Sequence, residues 1–104
     1  MFVVIFKAKV RQFDDEYSQT AQRMRELAIN EFGCMEFNAV TEGDLEIALS
    51  YWPSEKHIKA WKQHPEHIKA QQLGKQRWYE SYSVEISEVK RSYKSQSTVS
   101  LESD

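Results

Sequence analysis

The stretch FVVIFKAKV at residues 2–10 is β-branched and aromatic, and it begins apolar on both of its faces. Successive side chains of a strand point to opposite sides. Phe2, Val4, Phe6, Ala8 and Val10 therefore share one face, while Val3 and Ile5 fall on the other. A half-exposed strand would carry polar residues at those two positions, so this strand asks to be covered twice. The chain has 104 residues, the size of one domain, and is too short to build a second covering layer easily. A second copy of the chain is the economical cover.

The remaining elements follow from periodicity. Residues 14–32 read as an amphipathic helix. Asp14, Asp15 and Glu16 load its positive end with negative charge, Tyr17, Ala21, Met24, Ala28 and Phe32 recur at helical spacing, and Gly33 stops it. Residues 34–41 form a second strand, and Glu42-Gly43-Asp44 is a connector of hairpin length. Residues 45–52 form a third strand, with Leu45, Ile47, Leu49 and Tyr51 on one face and Glu46, Ala48, Ser50 and Trp52 on the other. Ser54 caps a helix over 55–63. Pro65 bends or restarts it, with a second helical piece over about 66–79, and residues 82–90 alternate as a fourth strand. The order β-α-β-β-α-α-β fits an α+β, ferredoxin-like split βαβ fold. Its four-stranded antiparallel sheet carries helices on one face and has its bare face buried in a homodimer. One domain spans 1–92, followed by a Ser-rich tail over 93–104 that is expected to be mobile.

Composition narrows the function classes. Apolar residues make up 40% and charged residues 29%, which is ordinary for a globular chain. No apolar run approaches the roughly 18 residues of a membrane span, and MFVVIF is too short for a signal-peptide core, so the expected location is the cytoplasm. The net charge of −2 argues against a nucleic-acid partner. Residues 1–53 carry five basic and nine acidic groups, whereas residues 54–80 carry six and three. That local excess could favour an anionic small molecule or could simply be a solvated helix face. The single cysteine, Cys34, is expected to be buried and inert. No glycine-rich nucleotide loop, Walker motif or C-x-x-C occurs, no carboxylate or thiol completes a metal-ligand set with the histidines, and no cofactor is expected.

The informative stretch is residues 52–79, which holds all three Trp and all three His. His57 and Trp61, four apart, share a helix face, and His64 and His67 flank the Pro65 bend. W-x-S-x-x-x-I-x-A-W-x-x-H-x-E-H at Trp52–His67, A-Q-x-x-G at Ala70–Gly74 and W-Y-x-x-Y at Trp78–Tyr82 together resemble an uncharacterised bacterial branch of the antibiotic biosynthesis monooxygenase (ABM) superfamily. The resemblance covers about residues 1–92. It implies a dimeric α+β barrel with a pocket in each subunit between the sheet and the long helical segment.

Quinone-forming members of that superfamily oxidise an enolic or phenolic substrate with O2 and no metal or organic cofactor. They place Asn, Trp and Tyr on the helical segment where this chain has His57, Trp61 and His67. Haem-degrading members use an Asn on the first strand and a His ten residues after the helical Trp. This chain has no Asn in that strand and has Gln71 at the second position. The resemblance therefore implies a cofactor-independent monooxygenase acting on a small phenolic, enolic or quinol-type compound. His67 or His57 would be the base, Trp61 would orient the ring, and His64, Tyr79 and Arg77 would be pocket residues. Each has a structural alternative: Trp61 as a core anchor, the histidines as satisfied or exposed side chains, Tyr79 in aromatic packing and Arg77 paired with a carboxylate. A non-catalytic ligand-binding or stress-response dimer is the competing class, and a haem-binding or haem-degrading protein the third.

Overall fold

A computed structural model describes residues 1–95, so the expected mobile tail lies, from residue 96 on, outside the described residues. The elements run β1 (Phe2–Val10), α1 (Asp15–Glu31), β2 (Glu36–Glu42), β3 (Leu45–Trp52), α2 (Glu55–Gln63), α3 (Pro65–Leu73), a single π-helical turn (Gly74–Trp78) and β4 (Tyr79–Glu88). The strands form one antiparallel sheet in the order β2-β3-β1-β4. This is the split βαβ arrangement that the element order implies.

Local chemistry sets the boundaries. The Asp14 carboxylate accepts from the Tyr17 backbone N–H at 2.7 Å and so caps α1. Gly33, at φ 79°, provides the left-handed residue that lets the chain leave the helix. Gly43, at φ 60°, is the first residue of the two-residue turn joining β2 to β3, a position where glycine relieves the steric cost of positive φ. Pro65 keeps His64 extended, at ψ 135°. His64 thereby closes α2 and caps α3, its Nδ1 accepting from the Glu66 N–H at 3.1 Å.

The last strand begins at Tyr79 instead of residue 82, and the helix ends at Leu73 instead of 79. The π turn makes the difference. It brings the Trp78 carbonyl to the Arg11 N–H at 2.8 Å and sets Tyr79 opposite Val10, across an irregularity at Lys9/Val10. Backbone pairing with the end of β1 outweighs the helical periodicity of the side chains.

The register places Glu46, Ala48, Ser50 and Trp52 of β3 beside Ala8, Phe6, Val4 and Phe2 of β1. This is the helix-covered face. Val4 and Trp52 pack there with Met24, Leu27 and Ala28 of α1 and Ile58 and Trp61 of α2. Fully burying side chains of this size contributes roughly 1.5–3 kcal/mol each, so this one cluster dominates the cohesion of sheet and helices. Cys34 belongs to it, its thiol pushed up by burial. The opposite face carries Val3, Ile5, Leu45, Ile47, Leu49 and Tyr51, and no element of the described chain covers it. These side chains stay half-buried or exposed.

Candidate active site

Between the helix-covered face and the helices lies a cavity of about 460 Å³, within the roughly 300–1,000 Å³ range of ligand sites. All four strands and all three helices contribute to its wall. On the sheet side its polar groups lie at two places set by the register of β3, near Ser50 and near Glu46, four residues apart, while Ser18, Gln22, Arg25 and Gln71 line it from α1 and α3. At about 3.3 Å per residue that separation is roughly 13 Å.

The Ser50 end is aromatic. Trp61 projects from α2, donates from Nε1 to the Met24 carbonyl at 3.2 Å, and packs on Trp52 and Phe37 with ring centroids 5.0 and 6.2 Å away. The His67 ring, from the first turn of α3, meets the Trp61 indole nearly at right angles, with centroids 4.3 Å apart. His67 Nδ1 is buried and, among the described residues, has no hydrogen-bond partner. Such an atom costs stability and is available to a ligand. Burial, helped by the charge of Lys62, lowers the His67 pKa to about 4, so its ring is neutral at neutral pH. Burial also lowers the pKa of the Lys62 ammonium, which lines the same cavity.

The Glu46 end is built of oxygens. Glu46 is only 8% exposed and accepts a hydrogen bond from the Thr41 hydroxyl. Tyr17 and Tyr79 complete this end, with ring centroids 6.2 Å apart. Burial, reinforced by Tyr79 and Glu46, raises the Tyr17 pKa well above the ordinary phenol value. Tyr79 is pushed up to about 12, chiefly by burial and less by Glu46. Both phenols therefore remain protonated donors at neutral pH. Gly74 makes room for Tyr79: a Cβ there would lie 2.7 Å from the Tyr79 Cδ2 and closer still to its Cε2.

The structure brings Trp61, His67 and Tyr79 into the cavity wall and leaves His57, His64 and Arg77 outside it. His57 is exposed, with Nδ1 2.7 Å from the Ser54 hydroxyl and its ring against Gly33. The serine that caps α2 holds it at the start of the helix, away from the wall that Trp61 reaches. His64 uses its Nδ1 in the α3 cap and rests edge-on against Phe32. Arg77 pairs with Glu16 at 2.7 Å and Asp14 at 3.2 Å, tying the π turn to α1. The sequence reading missed Glu46, Thr41, Ser50 and Lys62. The first three sit on alternate positions of β2 and β3, where period-two patterning marks a shared face without saying which layer covers it.

Comparison with known proteins agrees with this architecture. Residues 1–73 match the family profile of antibiotic biosynthesis monooxygenase. The uncharacterized protein YqjZ of Bacillus subtilis (strain 168) is 38% identical over 91 residues, 86% of this chain and 80% of its own length. Among solved structures, a point mutant of SnoaB, a cofactor-independent oxygenase from Streptomyces nogalater, superposes with a TM-score of 0.74 at 8% identity, over 88% of this chain and 94% of its own. Rv0793 from Mycobacterium tuberculosis also gives 0.74, at 11% identity, over 89% and 98%. At such identities the superpositions speak for the fold alone, whereas the profile match extends over most of the chain. The chain belongs to the antibiotic biosynthesis monooxygenase (ABM) family.

Proposed function

We propose that this protein is a cofactor-independent monooxygenase that oxidises a small phenolic, enolic or quinol-type compound with O2, working as a homodimer. The observation that carries the reading is the unpartnered Nδ1 of His67, buried beside Trp61 in the wall of the cavity.

The chemistry asks little of the protein beyond positioning, desolvation and movement of a proton. A flat substrate lies in the cavity with its acidic C–H or O–H against His67, bounded by the Trp61 indole. The neutral imidazole accepts the proton. A base held at so low a pKa is weak in the empty site, but the imidazolium and the substrate anion form together, and their attraction offsets the desolvation that lowers it. Lys62, whose charge acts on His67, stabilises the same developing anion. The electron-rich anion passes one electron to O2, and the substrate radical and superoxide combine to form a C–O bond. The peroxide recovers the proton from His67. Cleavage of the O–O bond with loss of the second C–H proton expels water and leaves the ketone or quinone. One O2 thus supplies one oxygen to product and one to water, and the substrate provides all the electrons.

Oxygen consumption on a panel of anthrones and hydroquinones, with chelator present, tests the reading. Uptake above the uncatalysed rate that falls in His67→Ala and Trp61→Phe supports it. Saturable binding of these compounds without oxygen uptake or product would replace it with the ligand-binding class. A Soret shift on haem titration that His67→Ala abolishes would replace it with haem binding.

A further inference from the structure

The end of the cavity opposite His67 holds a carboxylate that the oxidation does not use. Glu46 is 8% exposed, lines the cavity, and among the described residues forms no ion pair. It accepts a hydrogen bond from the Thr41 hydroxyl on the neighbouring strand and is also engaged by the Tyr17 phenol. Neutral hydroxyls leave acceptor capacity on a carboxylate, which has about four lone-pair sites. A carboxylate removed from water without a cation is costly, and this one sits in the wall of an otherwise largely apolar cavity, flanked by Tyr17 and Tyr79. Ala48, the next residue on that face, also lines the cavity, so an apolar side chain would fit the same surface.

We infer that Glu46 is the specificity anchor of this cavity, accepting a hydrogen bond from a neutral hydroxyl on the ligand at the end remote from His67. The inference rests on the reading of the cavity as the substrate site. The ligand it specifies is an elongated, flat aromatic compound. Its oxidisable carbon faces the Trp61–His67 end and a phenolic hydroxyl faces the Glu46 end, the side chains reaching inward from backbone positions roughly 13 Å apart along β3. Tyr79, whose phenol stays protonated, donates to the oxygen of that same hydroxyl while Glu46 accepts its proton, so both polarities of the group are met. A methyl ether at that position cannot donate, and a carboxylate there meets Glu46 as a like charge. The site thereby selects a phenol over its methylated or carboxylated relatives.

Anthrone, 2-hydroxyanthrone and anthrone-2-carboxylate are suitable probes, titrated under nitrogen by quenching of the tryptophan fluorescence, so that binding is read without turnover. Wild type is expected to bind 2-hydroxyanthrone about 10- to 100-fold more tightly than anthrone, the range for a hydrogen bond to a charged group, and to bind the carboxylate most weakly. In Glu46→Gln the hydroxyl preference falls to a few-fold, anthrone affinity is unchanged, and the carboxylate binds more tightly than it does to wild type. That last change is opposite in sign, and a merely structural loss would not produce it. Glu46→Asp keeps the charge but withdraws it by one methylene, and it should lose the hydroxyl preference while still rejecting the carboxylate, which covers the case in which the glutamine variant does not fold. Equal losses for all three probes, an unchanged hydroxyl preference in both variants, or no binding of 2-hydroxyanthrone to wild type would each overturn the inference. Oxygen uptake is a separate readout. The affinity pattern without uptake leaves the anchor standing and removes the oxygenase reading, while uptake with an unchanged preference does the reverse.

Discussion

The His67 ring stands at 77° to the Trp61 indole, with their centroids 4.3 Å apart. The two residues come from different helices, so this contact depends on the break between α2 and α3. His64 supplies the extended residue that turns the chain, and Pro65 starts the new helix. Without that turn, six residues of continuous helix would carry His67 to the far side from Trp61, since the helical repeat is 3.6 residues. Removing the imidazole while keeping the break isolates its chemical role. His67→Ala should retain the fold and lower oxygen consumption by roughly 10²–10⁴-fold, the range for loss of a general base. Equal rates in wild type and variant would exclude His67 from the reaction.

The buried imidazole also sets a pH dependence of stability. Its ordinary pKa of 6.5 falls to about 4 in the folded protein, chiefly through burial. The unfolded chain therefore binds more protons between those two values, and stability must fall as the pH drops through that window. Little change is due above the upper value, and the loss is complete below the lower one. The linkage amounts to at most about 3 kcal/mol from this one residue. In His67→Gln that component disappears, so the drop in melting temperature between pH 7.5 and pH 4.5 should be smaller than in wild type. Identical slopes would mean that the ring is hydrated and titrates normally.

Gly74 and Tyr79 form a steric pair. Gly74 has ordinary helical backbone angles, so alanine would suit its conformation and even favour helix by about 1 kcal/mol. A Cβ there would nevertheless fall within 2.7 Å of two carbons of the Tyr79 ring. Packing outweighs propensity, and Gly74→Ala is expected to destabilise by about 1–3 kcal/mol. Its ring displaced, Tyr79 would also lose its place at the Glu46 end of the cavity. Urea unfolding of the single variants and of Gly74→Ala/Tyr79→Ala checks this. The double variant should be more stable than the sum of the single effects, because each change relieves the other.

How much of this was legible beforehand depended on which pattern carried it. The helix break was visible because proline constrains the residue before it, and Trp61 because an aromatic at helical spacing from Ile58 must face a layer. His57 shares that spacing with Trp61 but not its environment: the Ser54 hydroxyl that caps the helix also engages the ring, and helical periodicity is blind to capping. Arg77 had two readings, and the acidic first turn of α1 satisfies the carboxylate one. Glu46 was hidden for a deeper reason. Along β3 the more apolar face, Leu45 to Tyr51, is the one left uncovered by the helices, whereas the face bearing Glu46 and Ser50 turns toward them. A monomer that buried its most apolar face would be built the other way round. A cavity on one side and an unmet contact on the other invert the usual pattern.

That uncovered face is the ground for proposing a homodimer. Val3 and Ile5 of β1 lie beside Tyr51 and Leu49 of β3, with Ile47 next along and Val40 on β2 beyond it. Val40 is 64% exposed in the single chain, and a contiguous apolar patch of this kind marks an association surface. Packing two such faces together gives sheet on sheet at about 10 Å, with the helices and both cavities outside. Light scattering at micromolar concentration should give about twice the 12.3 kDa chain mass. Leu49→Lys places a charge in the middle of the patch, opposite Ile5 and Asn38, without touching the cavity wall. It should yield monomer with its circular dichroism spectrum retained and a lowered melting temperature. A wild-type mass of one chain would remove the homodimer, and a Leu49→Lys dimer of unchanged affinity would place the interface elsewhere on the molecule.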